Sequence, residues 1–401
     1  MARRSGLLLA SLALLTVVPS CTQIFGAISG ATKKATRINM DNWNIESMTV
    51  GLRQDGEMLC PGASVQMVVT ANLAHKKRDK KKVVETPTAD AKLTNMGSMD
   101  FDMFEFSSEQ GAFGERGFYK ANPDVLATAV DGFKIDTKYL KDPEKFSFSN
   151  SYKPTYDCIT FAGASGPSGN SGMMGSSGSS GSSGSGGSSS EPGGNGGAGG
   201  AGGDGTDGGP GGVGPSLTAY ATLVKTPHYE HLVMLKVTGD SSDVVLFDPE
   251  KSIVLSAAGG AGGSGGSGGS GGRGGSGHSG YPGGNGGPGG AGGMGGNGGN
   301  GGPGGQLTLV YDDRFPELAT VIKLDASGGP AGFSGSQGNG GDGGSYGSGS
   351  GEGASDGARG AEGPDGQSGQ SGQSGPAGSA QAQAGNVDAY FGDMPDGIER
   401  L

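Results

Sequence analysis

The chain is short of the residues that carry chemistry. Its 401 residues include four histidines, three cysteines and one tryptophan, and aromatics make up only 6%. His75, His228, His231 and His278 are scattered, and the one close pair, His228 and His231, would point to opposite faces of a strand. A zinc site needs more ligands than that, and no Ser-His-Asp, Cys-His or paired-carboxylate constellation can be assembled. No catalytic residue, metal or cofactor is therefore expected. Large aliphatics are scarce too. Leu, Ile, Val and Phe make up about 16% of the chain, below the roughly 20% at which a core becomes hard to build. A single globular enzyme filling the whole length is excluded. Past residue 21 no window offers 18 apolar residues, so no spanning helix is expected. A net charge of −11 speaks against nucleic acid as a partner.

What the chain has in excess is glycine, 90 residues, of which 76 fall in three tracts over 163–215, 259–305 and 328–385. Outside the tracts and the first 20 residues, the large aliphatics rise to about 25%, enough to fold.

The first 21 residues give an address. Arg3 and Arg4 precede an apolar stretch from Leu7 to Val18 that is too short to span as a mature helix, so 1–20 reads as a signal peptide. Val18-Pro19-Ser20-Cys21 resembles the bacterial lipobox, with Pro19 where Ala, Ser or Thr is commoner. By that resemblance Cys21 becomes a lipidated N-terminus, and several acyl chains would anchor it stably. Thr22 replaces the Asp that retains such proteins in the inner membrane, which favours the outer membrane and the cell surface. Residues 21–38 read as a tether. Cys60 and Cys158 then remain, an even count in an exported chain. They are expected either to form a disulfide or to stay as two buried thiols.

Residues 39–162 show short runs with period-two alternation, among them 45–50, 64–70, 101–106, 133–136 and 158–161. Turn signals at Pro61-Gly62, Asn122-Pro123 and Asp131-Gly132 separate them, which predicts an antiparallel β-sandwich-like domain. Residues 163–401 read as strands within 217–258, 306–326 and 387–391, interleaved with the glycine tracts. The fold class expected is all-β.

The tracts keep a strict period of three. Glycine fills 17 of 18 such positions from Gly163 to Gly214, all 16 from Gly259 to Gly304, and all seven from Gly329 to Gly347. After a slip in phase, it fills all eight from Gly357 to Gly378. Three residues per turn is the polyproline-II repeat, which has no internal hydrogen bonds. Such helices must pair with neighbours, and only a missing Cβ lets them come close enough. A bundle of polyglycine-II helices is predicted, with reversals at Ser190, His278–Pro282 and Ser350–Asp356. A flexible Gly/Ser linker and a collagen-like helix are the alternatives. Gly202-Gly203-Asp204-Gly205-Thr206-Asp207 matches the opening of a calcium-binding nonapeptide, but a single copy fits the G-G-X phase equally. The basic run from His75 to Lys82 reads as a hairpin loop or a contact for an anionic partner.

Taken together, the lipobox, Leu59-Cys60-Pro61-Gly62, Tyr156-Asp157-Cys158 and the strands alternating with G-G-X tracts resemble the glycine-rich lipoproteins of myxobacteria. The tracts are similar in architecture to the polyglycine-II bundles of springtail antifreeze proteins and phage-tail adhesins, a likeness that implies no ligand. The function these readings imply is a non-enzymatic, lipid-anchored surface protein for display or adhesion. Its partners would be the membrane, through the anchor, and a glycan, an extracellular matrix or another surface protein. The alternative is a carbohydrate-binding or enzyme-accessory β domain with the tracts as spacer.

Overall fold

A computed structural model describes residues 38–54, 56–89 and 97–401. The signal peptide, the tether and Cys21 lie outside the described residues. Strands take 31% of the residues and helices 6%, so the protein is all-β. Two compact units emerge. One gathers residues up to Arg53 with Gln66–Glu105 and Lys138–Ser147; the other gathers Gln54–Val65, Phe106–Thr137 and Phe148–Leu401.

In chain order the first strands are β1 (Trp43–Leu52), β2 (Met58–Leu59), β3 (Ser64–His75) and β4 (Lys81–Glu85). Next come β5 (Phe104–Ser107), β6 (Gly111–Phe113), β7 (Phe118–Ala121), β8 (Phe133–Tyr139) and β9 (Ser147–Pro154). In the first unit β3 pairs antiparallel with β1, from Trp43 opposite His75 to Leu52 opposite Met67, and with β4 through a hairpin. Alternation on β3 buries Met67, Val69, Ala71 and Leu73. A short helix α1 (Val125–Asp131), which no apolar stripe announces, starts on an Asp124 cap that accepts from the N–H groups of Leu126 and Ala127. Cys60 and Cys158 form a disulfide within the second unit.

The rest of the second unit is built from β10 (Phe161–Gly163), β11 (Ser216–Lys225), β12 (Leu232–Gly239), β13 (Asp243–Phe247) and β14 (Ile253–Ser256). It continues with β15 (Gln306–Asp312), helix α2 (Leu318–Val321), β16 (Ile322–Asp325), β17 (Ser379–Gly385) and β18 (Glu399–Arg400). One sheet is parallel, in the order β10-β14-β16; the other runs β13-β12-β11-β15-β17, with β18 on β11. Leu217, Leu235, Phe247, Leu255, Leu307 and Ile322, drawn from both sheets, share one apolar cluster. Val224, Leu232, Met234 and Leu246 bury a second cluster with Tyr156, Val387 and Phe391. The central strands β11 and β12 are thus apolar on both faces, which is why they read as near-continuous hydrophobic runs.

Four expected strands are corrected. Residues 101–103 form a 3₁₀ turn started by the Asp100 cap, leaving only 104–107 extended, and 158–160 lie in a turn closed by Ile159 N–H on Tyr156 O, so that strand begins at Phe161. Residues 318–321 form a helical turn, begun by a turn at Phe315-Pro316 that lets Leu318 bury fully, and only 322–325 are extended. Residues 387–391 do not make a strand; Asp388–Tyr390 is a 3₁₀ turn. The strand in that region is Ser379–Gly385, which the glycine phase had absorbed into the third tract.

Each parallel strand continues into a glycine run, and the six runs form straight rods over 164–187, 193–215, 258–278, 283–305, 327–349 and 357–378. The first, third and fifth leave β10, β14 and β16. The second, fourth and sixth lead into β11, β15 and β17. The structure is therefore a threefold repeat of strand, rod, reversal, rod, strand. The chain reverses at the Ser188–Glu191 bridge, at 278–282 and at 350–356, where the glycine pattern is interrupted: the period skips Ser190, the second glycine of the triplet gives way to His278 and Tyr281, and the phase slips across 350–356. At the last reversal Gly351 (φ +117°) and Gly353 (φ +80°) take left-handed backbone that glycine tolerates.

Among the described residues no backbone hydrogen bond joins two residues of one rod; instead N–H groups donate to neighbouring rods, one in three along the first, fifth and sixth rods and two in three along the second, third and fourth. Within a layer the rods are parallel. Gly169 donates to Ala261 O and Gly262 to Pro330 O across the first, third and fifth; Gly199 donates to Pro288 O and Gly286 to Ala358 O across the second, fourth and sixth. Between layers they are antiparallel, as in Gly197 to Ser182 O, Gly263 to Gly209 O and Gly287 to Gly275 O. Gly329 to Gly302 O and Gly360 to Gly344 O complete that set. The third and fourth rods bond to four neighbours each and are written G-G-X; the second and fifth have three each, the second being G-G-X apart from Thr206 and the fifth doubling its glycines only in places. The first and sixth have two neighbours each and are written G-x-x. Nearly every glycine of the rods sits where a neighbouring backbone approaches; Gly186, beside the His278 ring, is an exception.

A Cβ at Gly292 would sit 2.0 Å from Gly338 O, inside any permitted contact, whereas Met294 two residues on is 52% exposed. Gly292→Val should break inter-rod bonds worth about 1 kcal/mol net each, more if left buried and unpaired. Met294→Ser should cost within about 0.5 kcal/mol, as exposed changes do. Thermal melts of both variants check this; equal shifts would contradict the packing.

Candidate functional site: the two faces of the bundle

The rods leave one residue in three free to point outward, two in the G-x-x rods, which gives each layer an outer face. On the layer of the first, third and fifth rods that face is mainly serine. Ser267 and Ser336 lie with their hydroxyls 3.0 Å apart, and Ser276 and Ser345 3.1 Å apart, always 69 residues apart in the chain. Strands β14 and β16 pair with the same offset, Ile253 opposite Ile322. Met174 and Phe333 stand on the bundle surface, each 78% exposed.

The opposite layer is an amide and carboxylate array. Asn195 Oδ1 accepts the N–H of Asn285 (2.8 Å), and Asn285 Oδ1 in turn accepts that of Ala358 (2.7 Å). Asp204 accepts from Met294 (2.7 Å) and Asp207 from Asn297 (2.6 Å). Asn297 and Asn300 accept from Gln370 (2.9 Å) and Gln373 (2.8 Å). These side chains satisfy N–H groups that no rod backbone reaches. The sequence pattern marked Asp204 and Asp207 as outward positions but missed this ladder. The recurrence of Asn and Asp at the X position of the second and fourth rods was the available signal, because short carboxamides and carboxylates suit backbone capping.

The other candidates belong to other segments of the chain. His228 is half-buried with its ring beside Gly132; burial, reinforced by Lys153, pushes its pKa down. His231 is exposed, so the pair does not converge. The basic run is an exposed hairpin tip between β3 and β4, where Lys81 pairs with Glu46 (2.9 Å) and Lys82 reaches Gly97 O (3.3 Å). Trp43 packs edge-on to His75, their ring centroids 5.1 Å apart. In the first unit a shallow cleft is lined by Ile38, Met40, Met103, Leu140 and Lys141, with Lys141 committed to Asp41 (2.6 Å). Among the described residues no three His, Cys, Asp or Glu side chains could hold a metal together, and no helix is long and apolar enough to cross a membrane. No family model, curated protein or solved structure matches the chain.

A buried charge interaction sits at the end of β15. Asp312 is buried and accepts from Arg314 Nε (2.9 Å), an Arg314 terminal nitrogen (2.6 Å) and Thr222 Oγ1 on β11 (2.8 Å). Burial alone would raise its pKa; the Arg314 and Thr222 bonds outweigh burial and hold it at about 2. A carboxyl depressed in this way stabilises the fold above its unfolded value near 4 and loses that contribution as pH falls towards 2. Acid titration of stability should therefore show about 2 kcal/mol lost between pH 5 and 2 in the wild type. That step should be missing in Asp312→Asn, which should already be less stable at pH 7. Chemical denaturation of both proteins across that range measures it.

Proposed function

We propose that the six rods are polyglycine-II helices and that their bundle is a rigid display module on a non-enzymatic, lipid-anchored cell-surface protein. The observation that carries this reading is the inter-rod bonding that recurs with a period of three along every rod. A flexible spacer would not hold its backbone pairs in one register over six runs. At about 3.1 Å per residue, a side chain recurs roughly every 9 Å along each rod. The faces thereby offer hydroxyl or amide groups at fixed intervals, a pattern suited to a repetitive polar polymer such as a glycan or matrix. Preorganised faces bind without ordering cost, so many weak contacts can add up. Lipidation at Cys21 would hold the module at the outer membrane.

Two measurements test the reading. Replacing Ser264, Ser267 and Ser270 together by Glu should cut binding to whole cells and to a glycan array at least tenfold while leaving the melting temperature within a few degrees. Retained binding would remove the serine face from the proposal. Cys21→Ser should abolish acyl labelling and shift the protein from the membrane to the soluble fraction; an unchanged distribution would sink the anchor.

A further inference from the structure

Strand β17 is the outermost strand of the six-stranded sheet, and among the described residues nothing pairs with its outer edge. Ser379 N–H donates to Gly305 O (3.0 Å), and Gly385 O accepts from Asp313 N–H (3.2 Å). In a parallel ladder, alternate residues bond to the same neighbour, so 379, 381, 383 and 385 face β15. Ala380, Ala382 and Ala384 consequently direct their N–H and C=O groups away from the sheet. All six residues from Ser379 to Ala384 are exposed.

Exposed edges are normally blunted by charge, proline or a bulge. The sixth rod has such charges in Arg359, Glu362 and Asp365, but none occurs from Gly366 to Val387. The strand itself, Ser-Ala-Gln-Ala-Gln-Ala-Gly, has no proline and no bulky side chain. At the other end of the sheet β13 opens on Asp243 and lies against α1.

The strand also reads nearly the same in both directions about Ala382. An antiparallel copy centred there sets Ala380 opposite Ala384, Ala382 opposite itself, and Gln381 opposite Gln383. The three outward-facing alanines of each copy then meet as hydrogen-bonded pairs, and the glutamines meet in the wider gaps between them. We propose that β17 is a self-association edge through which two copies join their sheets in a twofold dimer about Ala382. A twofold contact is self-complementary by symmetry, which this strand satisfies and a charged or directional edge would not. One seven-residue strand buries little surface, so the dimer is weak and concentration-dependent. The inference is independent of what the bundle faces bind.

Sedimentation velocity on the chain from Thr22 onward, which retains every described residue, tests this between about 10 µM and about 1 mM. The wild type should shift from monomer to dimer across that range. Ala382→Lys and Ala382→Glu should each stay monomeric, because each sets like charges face to face on the twofold axis. Mixed in equal amounts, the two should dimerise again. Ala382→Pro removes an N–H that the sheet does not use, and should also be monomeric with its melting temperature unchanged. A wild type monomeric at every concentration overturns the proposal. So do single variants that dimerise like the wild type, or a charge-swapped mixture that does not recover.

Discussion

The structure depends on how closely two peptide backbones can approach. Neighbouring rods are joined by N–H to carbonyl bonds of about 2.8 Å, and a Cβ at the contacting positions would lie near 2 Å from a carbonyl oxygen. No side chain can be accommodated there, so glycine is a geometric requirement and the period of three follows from it. The two-layer arrangement then sets how many glycine phases each rod needs. The third and fourth rods, with four neighbours, are G-G-X; the first and sixth, with two, need one phase and are G-x-x; the second and fifth, with three, double their glycines throughout or in part.

Glycine rods have almost no apolar surface to bury, and ordering glycine costs more backbone entropy than ordering any other residue. The strands supply what the rods lack. Leu217, Leu255, Leu307 and Ile322 bury in a common cluster and set the pairing offsets of the parallel strands. Those offsets persist along the rods. Ser216 pairs with Gln306 90 residues on, and Asn195 bonds to Asn285 at the same separation. Gln306 pairs with Ser379 73 residues on, as Asn285 does with Ala358. An apolar core thus fixes register at one end, and repeated backbone bonds carry it outward.

The same economy shapes the surface. Since the interior of the bundle is backbone, every larger side chain in the rods is outside, and two layers give two chemically different faces. Serine pairs cross one; asparagine and aspartate cap backbone N–H groups across the other. Phe333 and Met174 are exposed because the bundle has no interior that could take them.

From the residues alone, the all-β class, the period of three and the three reversals were legible, because each is written in local spacing that needs no knowledge of neighbours. The pairing of Cys60 with Cys158 was legible only as one of two choices. Helix α1 was hidden because seven residues are too few to show a stripe. Strand β17 was hidden for a related reason: Ala380, Gln381, Ala382 and Gln383 bury neither face, so no hydrophobic alternation marks them, and β15 alone holds them extended. The order of the rods, the number of neighbours each has and the pairing of Asn297 with Gln370 were decided only in the tertiary structure. The reason is physical. A bare glycine face fits every other bare glycine face equally well, and only the packed strands at the rods' ends choose which of them meet.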